Sequence, residues 1–167
     1  MCIRDRDEHD EVLAGEEARE YRRLAATGNY LGQDRTDIQC ATKEICRHMA
    51  GPTVRGREKL RRLARYLVEH QRLVWTFRRG GPRDWIEAYT DSDWAGCHKT
   101  RKSTTGVCVF YNGVLIHHYS RTQATVALSS AEAELYAIGT GTIDGVSLLQ
   151  FVRELGLPVQ PKCSVFV

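Results

Sequence analysis

The chain has 167 residues, of which 42% are apolar and 27% charged, enough for one ordinary domain or for a small domain joined to part of another. No apolar run approaches the roughly 18 residues of a membrane helix, and the N-terminus, charged from Arg4 onward, lacks the apolar core of a signal peptide, so a cytosolic or nuclear setting is expected. The six cysteines (Cys2, Cys40, Cys46, Cys97, Cys108, Cys163) show neither a C-x-x-C pair nor zinc-finger spacing, which points to reduced thiols in or near a core. The net charge of +3 is unevenly spread, with residues 1–20 at −5 and residues 53–80 at +7. A local excess of that size fits a polyanionic partner or, more plainly, a solvated helix face.

In chain order, Met1 to Arg6 matches a translated library adapter, so the acidic 1–20 segment is expected to have an artefactual start and is set aside for fold reasoning. Residues 10–28 read as a polar helix ending near Gly28. Asp34 or Thr36 caps a second helix with Ile38, Ala41, Ile45 and Met49 as its apolar stripe, stopped by Gly51-Pro52. A third helix, 53–70, places Leu60, Leu63, Ala64 and Leu67 on one face and leaves Arg55, Lys59, Arg62 and Arg65 mostly elsewhere. Leu73 to Phe77 reads as a short strand, and Arg79-Gly80-Gly81-Pro82 as the boundary between a helical segment, 21–80, and a second domain, 84–167.

Beyond that boundary the period changes. A strand begins at Ile86 and carries Asp91 and Asp93; a second, 103–111, and a third, 114–120, are joined by Asn112-Gly113, a strong hairpin signal. Ser129 and Glu132 form a capping box that opens a long helix, for which Glu132 is read as a cap and Glu134 has no such role. Leu135, Ile138, Thr142 and Leu149 are expected to form its buried face, with Gly139, Gly141 and Gly145 weakening its middle. Cys163 to Val167 opens a fourth strand. The expected class is mixed α/β.

The chemistry resides in the carboxylates. Asp91 and Asp93 alternate along a strand, so both point to one face, and a helix bearing Glu134 could meet them. Such a set suits Mg²⁺ or Mn²⁺, which prefer oxygen ligands, and a divalent pair can drive an in-line displacement at phosphate. Ser92 lacks a His/Asp partner arrangement for nucleophilic work, His117 and His118 read as one packed and one solvated side chain, and Gly139-Thr140-Gly141-Thr142 lacks the lysine of a phosphate loop.

Three stretches together resemble a known family: Tyr89-Thr90-Asp91-Ser92-Asp93-Trp94-Ala95-Gly96, Arg101-Lys102-Ser103-Thr104-Thr105-Gly106, and Thr122 to Glu134. They are similar to the ribonuclease H domain of copia-type LTR retrotransposon Pol polyproteins. Tyr21-Arg22-Arg23-Leu24, Tyr30 to Ile38, Gly51-Pro52-Thr53 and Leu63 to Leu67 resemble the end of the reverse transcriptase and its connection region in the same polyproteins, although Arg35-Thr36-Asp37-Ile38 departs from the family's Arg-Pro-Asp-Ile.

The resemblance implies a ribonuclease H-like fold, truncated after the fourth strand and preceded by a small helical connection segment. It implies hydrolysis of the RNA strand of RNA–DNA hybrids with Mg²⁺ or Mn²⁺ held by Asp91 and Glu134, Asp93 being a further candidate. Arg55, Lys59, Arg62, Arg65, Arg101 and Lys102 are the expected nucleic-acid contacts, the remainder of the Pol polyprotein the expected partner, and a cytoplasmic virus-like particle or the nucleus the expected location. The family's third and fourth carboxylates are not in this chain, so it is expected to be inactive alone. The alternatives are a catalytically dead nucleic-acid-binding remnant, a truncated gene model, or a host protein that recruited the fold for binding.

Overall fold

The computed structural model describes residues 10–76, 84–97, 100–160 and 162–167. The adapter-like start and the Arg79-Gly80-Gly81-Pro82 boundary lie outside the described residues. The chain divides into two compact units between Trp75 and Thr76.

The first unit holds α1 (Gly15–Leu31), α2 (Thr36–Cys46) and α3 (Val54–Glu69). The first helix starts later than its polar pattern suggests because residues 11–13 are extended: Leu13 N–H donates to the Pro52 carbonyl, Val54 N–H donates to that of Glu11, and Val12 pairs with Thr53. Thr53 then caps α3, its side chain accepting from Gly56 N–H. The core gathers Ala18, Tyr21, Ala25, Ile38, Ile45 and Leu63, with Met49, Leu60 and Leu67 packed against it. Ala41 and Ala64, expected inside, are exposed, and Thr42 is buried instead. Tyr21 fixes α1 to α2 by donating its hydroxyl to the Ile45 carbonyl at 2.7 Å, and burial pushes its phenol up to about 12.

Neither Asp34 nor Thr36 caps α2; the N-cap is Arg35, which makes no side-chain cap bond. Arg35 instead donates to both Asp37 oxygens, at 2.9 and 2.6 Å, and to the His70 carbonyl at 3.0 Å, while Tyr66 donates to Asp37 at 2.9 Å. This fork ties the start of α2 to the end of α3. The hydrogen bonds from Arg35 hold the Asp37 carboxyl down at about 2, against a smaller opposing effect of burial. Because the folded value lies below the ordinary 3.8, the stabilisation is complete above about pH 4 and disappears as the pH falls towards 2. After solvent screening it amounts to about 1 kcal/mol. Acid titration followed by helical circular dichroism should show this loss, and Asp37→Asn should remove that part of the pH dependence.

Residues 71–76 form no strand: no neighbouring strand pairs with them, and Val74 and Trp75 are exposed. Phe77 lies outside the described residues.

The second unit is a four-stranded mixed sheet with one long helix. Strands β1 (Ile86–Asp93), β2 (Thr104–Tyr111), β3 (Val114–Thr122) and β4 (Cys163–Phe166) lie in the order β3-β2-β1-β4, β4 parallel to β1 and the other pairs antiparallel. Asn112 and Gly113 both have positive φ, 54° and 73°, which closes the two-residue hairpin that their sequence predicts. The helix α4 (Ser130–Glu154) is unbroken over 25 residues. Ser129 Oγ accepts from Glu132 N–H at 3.1 Å, and Glu132 accepts from Leu128 N–H at 2.7 Å, completing the cap.

The face of α4 turned to the sheet is only in part the one expected: Leu149 lies on it, the other three do not. Ala133, Ala137, Gly141, Gly145 and Leu149 are buried, whereas Leu135 and Thr142 are exposed and Ile138 half-buried. A Cβ on Gly141 would run into Thr90 Cγ2, and one on Gly145 into Cys163 Sγ, so these glycines let the helix backbone lie close against β1 and β4. They are packing positions, not weak points. Among the described residues α4 is also the one helix whose length and composition would suffice to cross a membrane.

Candidate functional site

On β1, Ile86, Ala88 and Thr90 are buried under α4, and Ser92 continues that inner face; Glu87, Tyr89, Asp91 and Asp93 point the other way. Since Gly141 meets Thr90 while Gly145 meets Ala88 and Cys163, α4 runs antiparallel to β1 and brings its first turns to the carboxylate end of the strand. Asp91 is exposed on the outer face at that end. Glu134 is half-buried over the inner face, and its Oε2 is buried without a hydrogen-bond partner among the described residues.

Asp93 occupies a different environment. The Gly96 N–H reaches back to the Asp93 carbonyl at 3.5 Å, and a Cβ on Gly96 would coincide with the Asp93 carboxylate, which folds over its own turn. Glu132, spent on the cap, also receives the Tyr136 hydroxyl at 3.2 Å.

The predicted basic residues fall in two places. Arg101 and Lys102 precede β2 at the same end of the sheet as Asp91; Arg101 N–H donates to the Cys97 carbonyl and Cys97 N–H to that of Lys102. On α3, Arg62 and Arg65 are exposed and Lys59 is half-buried; Arg55 N–H donates to Asp10, and the nearby Arg57 is neutralised by Glu17 at 2.6 Å. Lys59 and Arg62 border a cavity of about 330 Å³ between α2 and α3, floored by Ile38, Ala41, Ile45 and Leu63. The cavity belongs to the helical unit and contains neither Asp91 nor Glu134.

His117 is exposed, and His118 is half-buried with its imidazole pKa lowered by burial and by His117. Burial pushes up the thiols of Cys108 and Cys163, and Cys97 is buried, as expected of packing residues, whereas Cys40 is exposed.

Sequence reasoning missed Gln123. It is buried, and its Nε2 donates to Thr105 Oγ1 at 3.0 Å and to the Ala133 carbonyl at 2.9 Å, joining β2 to the first turn of α4. A polar side chain just after a strand gives no pattern that would have marked it.

No group of three His, Cys, Asp or Glu side chains converges to hold a metal among the described residues. Asp91 and Glu134 are nonetheless all-oxygen donors, and the unpartnered Glu134 oxygen suits a hard cation that keeps several waters of its own.

Fold and site together define a mixed α/β domain with one carboxylate from its first strand and one from the helix packed on it. The chain is 34% identical over 119 residues to the uncharacterized mitochondrial protein AtMg00810 of Arabidopsis thaliana, covering 71% of this chain and 49% of that protein. It is 34% identical over 114 residues to the secreted RxLR effector protein 161 of Plasmopara viticola, covering 68% and 80%, and 30% identical over 138 residues to the retrovirus-related Pol polyprotein from transposon RE1 of Arabidopsis thaliana, covering 83% and 9%. No family model matches the chain, and no solved structure matches it. The chain belongs to the copia-type retrotransposon Pol polyprotein family. It spans about half of the mitochondrial relative and a small part of the Pol polyprotein from RE1.

Proposed function

We propose that residues 84–167 are a ribonuclease H-like domain that acts on the RNA strand of RNA–DNA hybrids during reverse transcription, and that the helical unit is the end of the polymerase and its connection. The observation that carries this reading is the buried, unpartnered carboxylate oxygen of Glu134 at the end of the sheet where β1 presents Asp91. A bound Mg²⁺ or Mn²⁺ pair would activate water and neutralise charge in an in-line displacement. Asp91, on the outer face, and Glu134, over the inner face, would have to hold the cation around the end of the sheet, so their separation is set by the packing of α4 on β1. Arg101 and Lys102, at the same end, receive phosphates of the hybrid. Arg62 and Arg65 on α3 add sequence-independent contacts, and RNA is told from DNA through the 2′-hydroxyl.

Cleavage of a hybrid labelled on its RNA strand, with and without Mg²⁺, tests this for the chain alone and within a longer Pol polypeptide. Cation-dependent cutting of the RNA strand in either form supports it. A second reading, binding without catalysis, is favoured by the lack of three converging ligands among the described residues. It would be established by hybrid affinity with no cleavage in either form.

The contribution of α3 can be measured separately. Arg62→Ala and Arg65→Ala should each weaken hybrid binding about equally across sequences, and each should lower the slope of log affinity against log salt by about 1. Fluorescence anisotropy over a salt series reads both quantities. An unchanged slope would make α3 a solvated face.

A further inference from the structure

The cavity between α2 and α3 owes its depth to one small residue. Ile38, Ala41 and Ile45 stand on one stripe of α2, and Leu63 faces the same space from α3. The two isoleucines are buried, whereas Ala41, between them on the stripe, is exposed, because its short side chain leaves the space between the walls open. The walls are held in place near one end by Tyr66 of α3, which donates to Asp37 of α2 at 2.9 Å. An apolar floor between two tied helices is a preformed recess, and its volume of about 330 Å³ suits a body of one or two rings.

Charge decides what can enter. The two acids on the α2 wall are already matched, Asp37 by Arg35 at 2.6 Å and Glu44 by Arg47 at 3.1 Å. On the α3 wall Arg62 is exposed and has neither a hydrogen bond nor an ion pair among the described residues. An apolar floor beneath an uncommitted guanidinium fits an amphiphile with one negative charge, whereas a doubly charged phosphate would be repelled by the two carboxylates on the opposite wall. A guanidinium fork also matches a carboxylate through two parallel N–H···O bonds. We propose that this cavity binds a small aromatic carboxylate, its ring body over Ala41 and Leu63 and its carboxylate on Arg62. The site lies wholly in the helical unit and does not rest on the reading of Asp91 and Glu134.

The test titrates the full chain with naphthalene-2-carboxylate and follows methyl resonances. Those of Ile38, Ile45 and Leu63 should move, with a dissociation constant on the order of 1 mM or below, the range for a ligand of about a dozen heavy atoms. Arg62→Ala should weaken binding about tenfold, and the uncharged naphthalene-2-methanol should bind the parent about as weakly. Arg65→Ala removes another exposed charge of α3 that does not line the cavity, so affinity should stay within about twofold of the parent. Hybrid binding draws on both arginines, the cavity on Arg62 alone, so the two readings fail separately. Ala41→Leu keeps a good helix former and fills the recess; it should abolish binding with the urea midpoint unchanged or raised. Unmoved methyl resonances, equal affinity for the carboxylate and the alcohol, equal effects of Arg62→Ala and Arg65→Ala, or full binding by the Ala41→Leu protein would each overturn the proposal.

Discussion

Gly141→Ala should destabilise the sheet unit, and Gly139→Ala, two residues earlier on the same helix, should stabilise it. Both exchanges bring the same gain in helix propensity, about 1 kcal/mol. They differ in what the new methyl group meets. At Gly139 nothing lies within 4 Å, so the propensity gain is realised in full. At Gly141 the added carbon would overlap Thr90 Cγ2, and Thr90 is a buried, β-branched side chain with little freedom to turn away. Overpacking of this kind costs about 1–3 kcal/mol, more than the propensity returns, and Gly141→Val should cost more again. Urea midpoints for the three variants measure the effect. Equal stabilisation by both alanines would mean that α4 does not lie against β1 through its small residues.

That packing was the part of the fold least legible in the sequence. The Asn112-Gly113 hairpin and the Ser129/Glu132 cap are set by local chemistry, and both are seen where the residues place them. The buried face of α4 is not local. Counting large apolar residues at helical spacing selects Leu149 correctly but also Leu135 and Ile138, whereas from Ala133 to Gly145 the helix lies so close to the sheet that only Ala and Gly are buried there, and the distance between layers is not written in any single window of sequence. Leu73 to Thr76 has β-like composition without a neighbour to pair with, so it forms no strand. Among the site residues, alternation correctly sends Asp91 and Asp93 to one face. It cannot show that the Asp93 carboxylate bends over Gly96, nor that Ser92, dismissed as a nucleophile, lies on the side of Glu134.

Asp91→Asn and Glu134→Gln should each lower the rate of hybrid cleavage by roughly 100-fold or more, the scale for removing one electrostatic group from the reacting centre. Each exchange keeps shape and removes one charge from a site with few carboxylates to spare, so neither loss can be compensated by a neighbour. Two other acidic residues serve as internal controls, because they make the same chemical change in the same stretch of chain. Glu132→Gln retains the oxygen that accepts from Leu128 N–H, so the cap persists and the rate should stay within a few-fold of the parent. Asp93→Asn alters a side chain turned onto its own loop, and its effect should be similarly small. Single-turnover rates at saturating Mg²⁺ separate chemistry from binding. A pattern in which all four substitutions cost alike would reduce the carboxylates to a diffuse negative field, whereas a loss confined to Asp91 and Glu134 would identify the pair that the packing of α4 on β1 brings to one end of the sheet.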